Sequence, residues 1–510
     1  MNCKNLKQDF PAGVVVFFVA VPLCLGVALA SGAPLFSGII AGVVGGVVVG
    51  FISNSAVGVS GPAAGLAVIV LNAISTLGSF ESLLAAVVLA GVIQIGFGLI
   101  HAGAITYFFP TSVIRGMLAA IGVIIFLKQI PHALGYDTDY ELDLYVWNSG
   151  LVFSDLLPRV VSALSPSSIF VFCLAMLVIL VWDSRVISSL RVSKFIQAPF
   201  AAVLVGIAYQ LIAEIFFPSL SLKVIHMVNV PEIKSGNNFS SSLSFLNFSA
   251  FAKPQVWMTA LTIAIVASLE TLLSVEATDK LDQQHRVTDK NRELLAQGVG
   301  NIVSGLLGGL PITQVILRSS ANVQSGAVSK LSTILHGLLI LLCVVLVPFL
   351  LNLIPLAALA AILIVIGFKL AKPASFVEIY RQGWNQFAPF SATVMGVVFT
   401  DLLTGVAIGM GVAILFMLKN SLKDSHSLQV VNENGLHVIK LTLAEKVFFL
   451  NKGPIKKELN RIPSGSRVII DGTRCISLDH DVRELIHDFK KSAILRRIWV
   501  DIHFTNDECT

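Results

Sequence analysis

The chain has 510 residues, 55% of them hydrophobic and only 13% charged. Soluble domains carry about 25% charged residues, so a soluble globular protein is excluded and a polytopic membrane protein is indicated. The net charge of +5 is small and no nucleic-acid partner is expected; Cys3, Cys24, Cys173, Cys343, Cys475 and Cys509 are scattered, indicating neither a zinc site nor a disulfide framework.

The opening "MNCKNLKQDFPAG" reads as a short cytoplasmic leader to a first span rather than a signal peptide. Apolar runs of spanning length follow near residues 12–30, 34–52, 82–101, 109–130, 168–183, 196–217, 256–278, 332–351, 355–370, 386–402 and 404–420. Shorter or interrupted segments lie at 57–74, 294–309 and 314–328. The expectation is about fourteen membrane segments. Charge placement orients them. Lys4 and Lys7 precede the first; Arg185, Arg191 and Lys194 follow the sixth. Lys280, Arg286, Lys290 and Arg292 follow the eighth, and Lys369, Lys372 and Arg381 the twelfth. The loop "GYDTDYELDLYVWNSG" is acidic. Both termini are therefore expected in the cytoplasm, and an even number of spans follows.

Near residue 422 the composition changes. "LHVIKLTLAE", "SRVIIDGT" and "RRIWVDIHF" read as strands, while "NKGPIKKELNRI" and "DHDVRELIHDFKK" read as helices. The expected organisation is a membrane domain over 1–421 and a small cytoplasmic α/β domain over 422–510.

Two segments are interrupted. "AVGVSGPAAGLAVIV" places Ser60, Gly61 and Pro62 inside an apolar run, and a helix is expected to begin near Pro62. "GLLGGLPITQVILRSSANVQSG" repeats the device with Gly308, Gly309 and Pro311, and Thr313 and Gln314 are expected in a helix's first turn. The breaks fall in the third and tenth segments of a seven-plus-seven arrangement, as an inverted repeat predicts. Two helix N-termini meeting at the midplane would attract an anion. Arg318, five residues past Thr313, would add positive charge from more than one turn deeper.

At these residues the sequence resembles the SulP (sulfate permease) family of anion transporters. The resemblance covers nearly the whole chain. It rests on "QDFPAGVVVFFVAVPLCLGVALASGAPLFSGIIAGVVGG", with Asp9 to Gly13 and Pro22, on "VSGPAAG", and on "LLAQGVGNIVSGLLGGLPITQVILRSSANVQSGAVSKLS". The tail resembles a STAS domain. The resemblance implies an all-α polytopic membrane fold of fourteen segments in two inverted repeats of seven. A core bundle (segments 1–4 and 8–11) would move against a gate bundle (5–7 and 12–14). It implies an anion held by Ser60, Gly61, Pro62 and Ala63 with Pro311, Ile312, Thr313, Gln314 and Val315, flanked by Ala20, Val21, Pro22 and Leu23 of the first segment. It implies coupling at Glu270 and Ser274 of the eighth, a homodimer, and a bacterial inner-membrane location. Ile312, Gln314 and Val315 depart from the small residues of many relatives there. His480 and Asp481 stand where relatives often have Ser and Gly, so no phosphorylated or nucleotide-binding tail is predicted.

Glu270 lies inside the spanning run "WMTALTIAIVASLETLLSVEAT" and shares a helical face with Ser274. A charge there costs about 2.5–3.5 kcal/mol on insertion scales, which nothing about spanning requires. A buried carboxyl can take a proton as an anion arrives, or join the Ser274 hydroxyl in holding Na⁺. The competing reading is a structural ion pair between Glu270 and Arg318. Glu276 reads as solvated, His336 as a packed histidine, Glu214 and Arg115 as interfacial, and Asp401 as a helix cap. The leading expectation is secondary-active import of sulfate or bicarbonate coupled to H⁺ or Na⁺. No ATP-binding loop, HExxH motif or cofactor signature occurs. The alternatives are a dicarboxylate transporter, a nucleobase permease of the same fold, and an uncoupled anion channel.

Overall fold

The computed structural model describes residues 6–104, 110–137, 164–182, 184, 196–231, 245–400, 402–423, 426–433 and 436–504. They form two compact units, Met1–Ile379 with Phe390–Ala407, and Tyr380–Pro389 with Ile408–Thr510. Among the described residues, eight helices are long and apolar enough to cross a membrane.

Every expected segment has a counterpart. The first seven are α1 (Leu6–Ala30), α2 (Leu35–Ile52), β1 (Ser60–Pro62) running into α3 (Ala64–Leu77), α4 (Phe80–Leu99), α5 (Thr111–Leu134), α6 (Pro166–Trp182) and α7 (Ala198–Phe216). The second seven are α8 (Pro254–Leu281), α9 (Lys290–Leu306), β2 (Ile312–Gln314) running into α10 (Ile316–Gln324), α11 (Leu331–Leu346), α12 (Leu356–Leu370), α13 (Trp384–Phe399) and α14 (Leu402–Lys423). Asp401 lies outside the described residues, as do Lys4, Arg185, Arg191, Lys194 and the acidic loop beyond Asp137.

Glycines set the crossings. A Cβ on Gly91 of α4 would stand 2.5 Å from the Gly298 carbonyl of α9, and one on Gly298 would stand 2.7 Å from the Gly91 carbonyl. A Cβ on Gly46 of α2 would stand 2.6 Å from Gly337 Cα on α11. The gate has its own version, Gly122 of α5 against Gly367 of α12 at 2.5 and 2.7 Å. Lipid tails are as apolar as leucine, so close backbone approach replaces hydrophobic drive as the adhesive. A shift of seven segments turns the α2–α11 crossing into the α9–α4 crossing, which is the inverted repeat expressed in packing. Residues 45–49 of α2 form one π turn, beside the Gly46–Gly337 crossing.

The break geometry corrects three expectations. Pro62 does not open a helix; it ends β1, and α3 begins at Ala64. Thr313 and Gln314 are not in a first turn; they belong to β2, and α10 begins at Ile316. Arg318 is therefore the third residue of α10, near its tip rather than deep within it. The reason is pairing. β1 and β2 run antiparallel, with Ser60 opposite Gln314, Gly61 opposite Thr313 and Pro62 opposite Ile312. Within hydrocarbon every backbone N–H and C=O needs a partner, and two broken segments supply each other's.

The second unit contains a four-stranded sheet in the order β3 (His426–Glu433), β4 (Leu436–Leu443), β5 (Arg467–Gly472) and β6 (Trp499–Phe504). The last three are parallel, and the crossovers carry α15 (Lys452–Arg461) and α16 (His480–Leu495). Leu441, Val468, Ile470, Ile455, Leu459, Val482 and Ile486 fill its core. The three expected strands and two helices are present. The antiparallel edge strand β3 was not expected from the sequence.

Candidate anion site

β1 and β2 hold α3 and α10 with their N-termini at the centre of the first unit. Ala63 and Val315 are the N-cap residues, both extended, and neither offers a side-chain cap. Ser60, Ala63, Ile312, Thr313, Gln314 and Arg318 are all buried. Two helix tips whose own N-cap residues supply no side-chain cap thus face buried space, each carrying about half a positive charge.

Arg318 is wholly buried. Its Nη2 lies 3.4 Å from Cys24 Sγ and 3.4 Å from the Pro62 carbonyl, while Nε and Nη1 have no partner. The guanidinium fills the space beside Gly61, where any Cβ would overlap Nη1. A buried guanidinium with two idle donors is costly until an acceptor arrives. The Thr313 hydroxyl and Gln314 Oε1 are also unpartnered.

No ion pair joins Glu270 to Arg318 among the described residues. Glu270 sits instead against the first turn of α3, accepting from the Gly65 backbone N–H. A Cβ on Gly65 would stand 2.7 Å from both of its carboxylate oxygens. Its Oε2 has no hydrogen-bond partner. Ser274 is buried one turn further along α8.

Several groups that shape the site went unread in the sequence. Asn301 of α9 treats Ile312 as a neighbouring strand would: its Oδ1 accepts from the Ile312 N–H at 2.6 Å and its Nδ2 donates to the Ile312 carbonyl at 3.1 Å. Gln94 Oε1 anchors the same Nδ2 at 2.6 Å. Thr271 Oγ1 accepts from Gln314 N–H, and Gln314 Nε2 donates to Thr278 Oγ1. The signal was present, because Glu293, Gln297 and Asn301 recur every four residues and so share one face of α9. Ala20, Val21, Pro22 and Leu23 are buried in α1, but the α1 side chain at Arg318 is Cys24, one position beyond them. His336 is packed as expected, with Nδ1 2.5 Å from the Thr333 carbonyl. Arg115 pairs with Glu378 at 3.1 Å on the exterior. Glu214 accepts from Gln210 Nε2 at 2.7 Å.

The chain is similar to several known proteins. It is 27% identical over 423 residues to "Putative sulfate transporter YvdB" of Bacillus subtilis, covering 82% of this chain and 74% of that one. It is 27% identical over 463 residues to "Bicarbonate transporter BicA" of Picosynechococcus, covering 88% and 76%. The solved structure of the murine Slc26a9 anion transporter in the inward-facing state superposes with a TM-score of 0.76 at 15% identity, covering 98% of this chain and 86% of that one, which shows a shared fold. The family model of the sulfate permease family matches residues 6–395. With that span of the chain matched, and the broken-segment pair where the fold requires it, this integral membrane protein belongs to the sulfate permease family.

Proposed function

We propose that this protein is a secondary-active importer of a small inorganic anion, sulfate or bicarbonate, working by alternating access and coupled to H⁺ or Na⁺. The observation that carries the reading is Arg318, buried with Nε and Nη1 idle beside two helix tips. An anion there would accept from the guanidinium, the Thr313 and Ser60 hydroxyls and the first-turn N–H groups. Gly61, Pro62, Ala63, Pro311, Ile312, Gln314 and Val315 would form the walls, with Ala20 to Leu23 on the α1 side. The names of the two relatives, a sulfate and a bicarbonate transporter, support these two cargoes.

Glu270 gives the coupling its physical basis. Its carboxylate lies against the tip of α3 and offsets the positive potential the anion needs. A proton on Glu270, or Na⁺ held by Glu270 and Ser274, would release that potential and admit the anion. The test is uptake of radiolabelled sulfate and bicarbonate into proteoliposomes under imposed H⁺ and Na⁺ gradients. Wild-type protein should accumulate one of them only with an inward cation gradient. Glu270→Gln should still exchange anion across the membrane but lose gradient-driven accumulation. Unchanged gradient dependence in that variant would refute the coupling role.

The same reading assigns 1–421 to transport and 422–510 to a cytoplasmic STAS-like domain in a homodimer. Both termini would face the cytoplasm of a bacterial inner membrane, with lipid around the apolar exteriors of α6 and α7, where Phe170, Leu177, Leu180, Leu211 and Ile215 are exposed.

A further inference from the structure

A second buried carboxylate stands behind the anion site. Glu293, in the first turns of α9, is fully buried and makes no ion pair among the described residues. Two neutral donors serve it. Ser53 Oγ donates to Oε2 at 2.5 Å, and Gln297 Nε2 donates to Oε1 at 2.8 Å. The same Gln297 nitrogen donates its other hydrogen to Ser60 Oγ at 2.7 Å. Ser60 is the first residue of β1, opposite Gln314. Glu293, Gln297 and Ser60 thus form an unbroken buried chain into the site, and Gln297 Oε1 is left without a partner.

The chemistry of this chain has two settings. An ionised carboxylate only accepts, so it forces the NH₂ face of Gln297 toward itself. That face also meets Ser60, so the serine oxygen receives a hydrogen and its own hydrogen is left to donate elsewhere. A protonated Glu293 can donate, and the amide can then turn over. Gln297 Oε1 would accept from both Glu293 and Ser60, and the serine hydrogen would be spent inside the protein.

The charges around Glu293 are few. Asp279 approaches from α8. Arg292 lies beside it on α9 and directs Nε to the Ile52 carbonyl. Lys330, before α11, directs Nζ to the Phe51 and Ser53 carbonyls. α2 has no charged side chain. α4 has only Glu81, in its first turn, whereas its opposite end meets the start of α9, where Gly98 faces Leu295.

We propose that Glu293 is a proton-operated positioning residue: ionised, it turns Ser60 into a donor for the bound anion, and protonated, it withdraws that donor through Gln297. The inference rests on the reading of β1 and β2 as the anion site. It is separate from Glu270, which meets the tip of α3 directly.

The test is counterflow exchange of radiolabelled sulfate and bicarbonate in proteoliposomes, with KM measured against pH in a Glu270→Gln background. Acidification should raise KM by about tenfold, the effect of losing one hydrogen bond to a charged ligand, with a smaller change in maximal rate. Adding Glu293→Gln should flatten that pH profile, which a merely structural role would not do. Adding Ser60→Ala should flatten it equally without altering the carboxyl, and the two substitutions together should do no more than either alone. A pH profile of KM that survives Glu293→Gln, or effects of Glu293→Gln and Ser60→Ala that multiply, would overturn the proposal. Failure of wild-type protein to exchange either anion would refute the anion site itself, whereas exchange whose pH profile ignores Glu293 would refute this proposal alone.

Discussion

At the scale of single residues, the proposed anion site rests on Arg318. A buried charge without an ionic partner costs several kcal/mol, which an apolar side chain of similar volume does not incur. Arg318→Met should therefore move stability and function in opposite directions. The unfolding midpoint in detergent should rise or hold, while sulfate and bicarbonate uptake should fall by at least about a hundredfold, the loss expected for a buried charged hydrogen bond. Uptake within about tenfold of wild type would show that the guanidinium is not a ligand. Gly61 explains itself at the same scale, since only a residue without Cβ leaves room for Arg318 Nη1. Arg318, Gly61 and Glu270 were legible in the sequence because a charge or a Gly-Pro break inside an apolar run is conspicuous. Asn301, Gln297 and Cys24 were not. Amides and thiols occur in many buried helices, and only their partners across the fold reveal what they hold.

At the scale of elements, one contact on the gate helices ties two loops together. Asp137, just past α5, receives His132 Nδ1 on one carboxylate oxygen and His226 Nδ1 on the other, both at 2.6 Å. An ionised carboxylate only accepts, so both Nδ1 atoms carry hydrogen. Burial pushes the Asp137 carboxyl up, but the hydrogen bonds and charges of His132 and His226 outweigh it and hold it below its ordinary value. A depressed carboxyl contributes stability that is complete above the ordinary carboxylate range and is lost as pH falls through the lowered value. Asp137→Asn should cost about 2–3 kcal/mol at neutral pH, and should reduce the fall in stability on acidification. Thermal unfolding of both proteins across pH 3 to about 7 checks the sign. A sequence reading could not find this clamp, because His226 is 89 positions from Asp137. The β1–β2 pairing was likewise hidden: three residues per strand are too few for any periodicity, and each strand exists only because the other does.

At the scale of the whole molecule, the inverted repeat organises the packing, from the antiparallel β1–β2 pair to the glycine crossings that exchange under a seven-segment shift. The tail is built differently, from a mixed sheet whose Lys440–Asp471 pair at 2.7 Å, with Thr473, holds the Asp471 carboxyl well below its usual range. Deleting residues 422–510 should leave membrane insertion intact and lower the rate of anion uptake. Expression and labelled-anion flux measured together check this, and full flux in the truncated protein would show that transport does not need the tail.

The sequence by itself determined the number of segments, the two breaks and the α/β character of the tail. These depend on local composition: a span needs its apolar length, and the Ser-Gly-Pro and Gly-Gly-Leu-Pro runs interrupt it where a lone glycine or proline does not. The tertiary structure alone decided that the breaks are paired strands, that Arg318 stands near a helix tip, that Glu270 faces Gly65 rather than Arg318, and that Glu293 reaches Ser60 through Gln297. In hydrocarbon, where water satisfies nothing, each polar group takes its role from whichever partner the fold brings within hydrogen-bond reach.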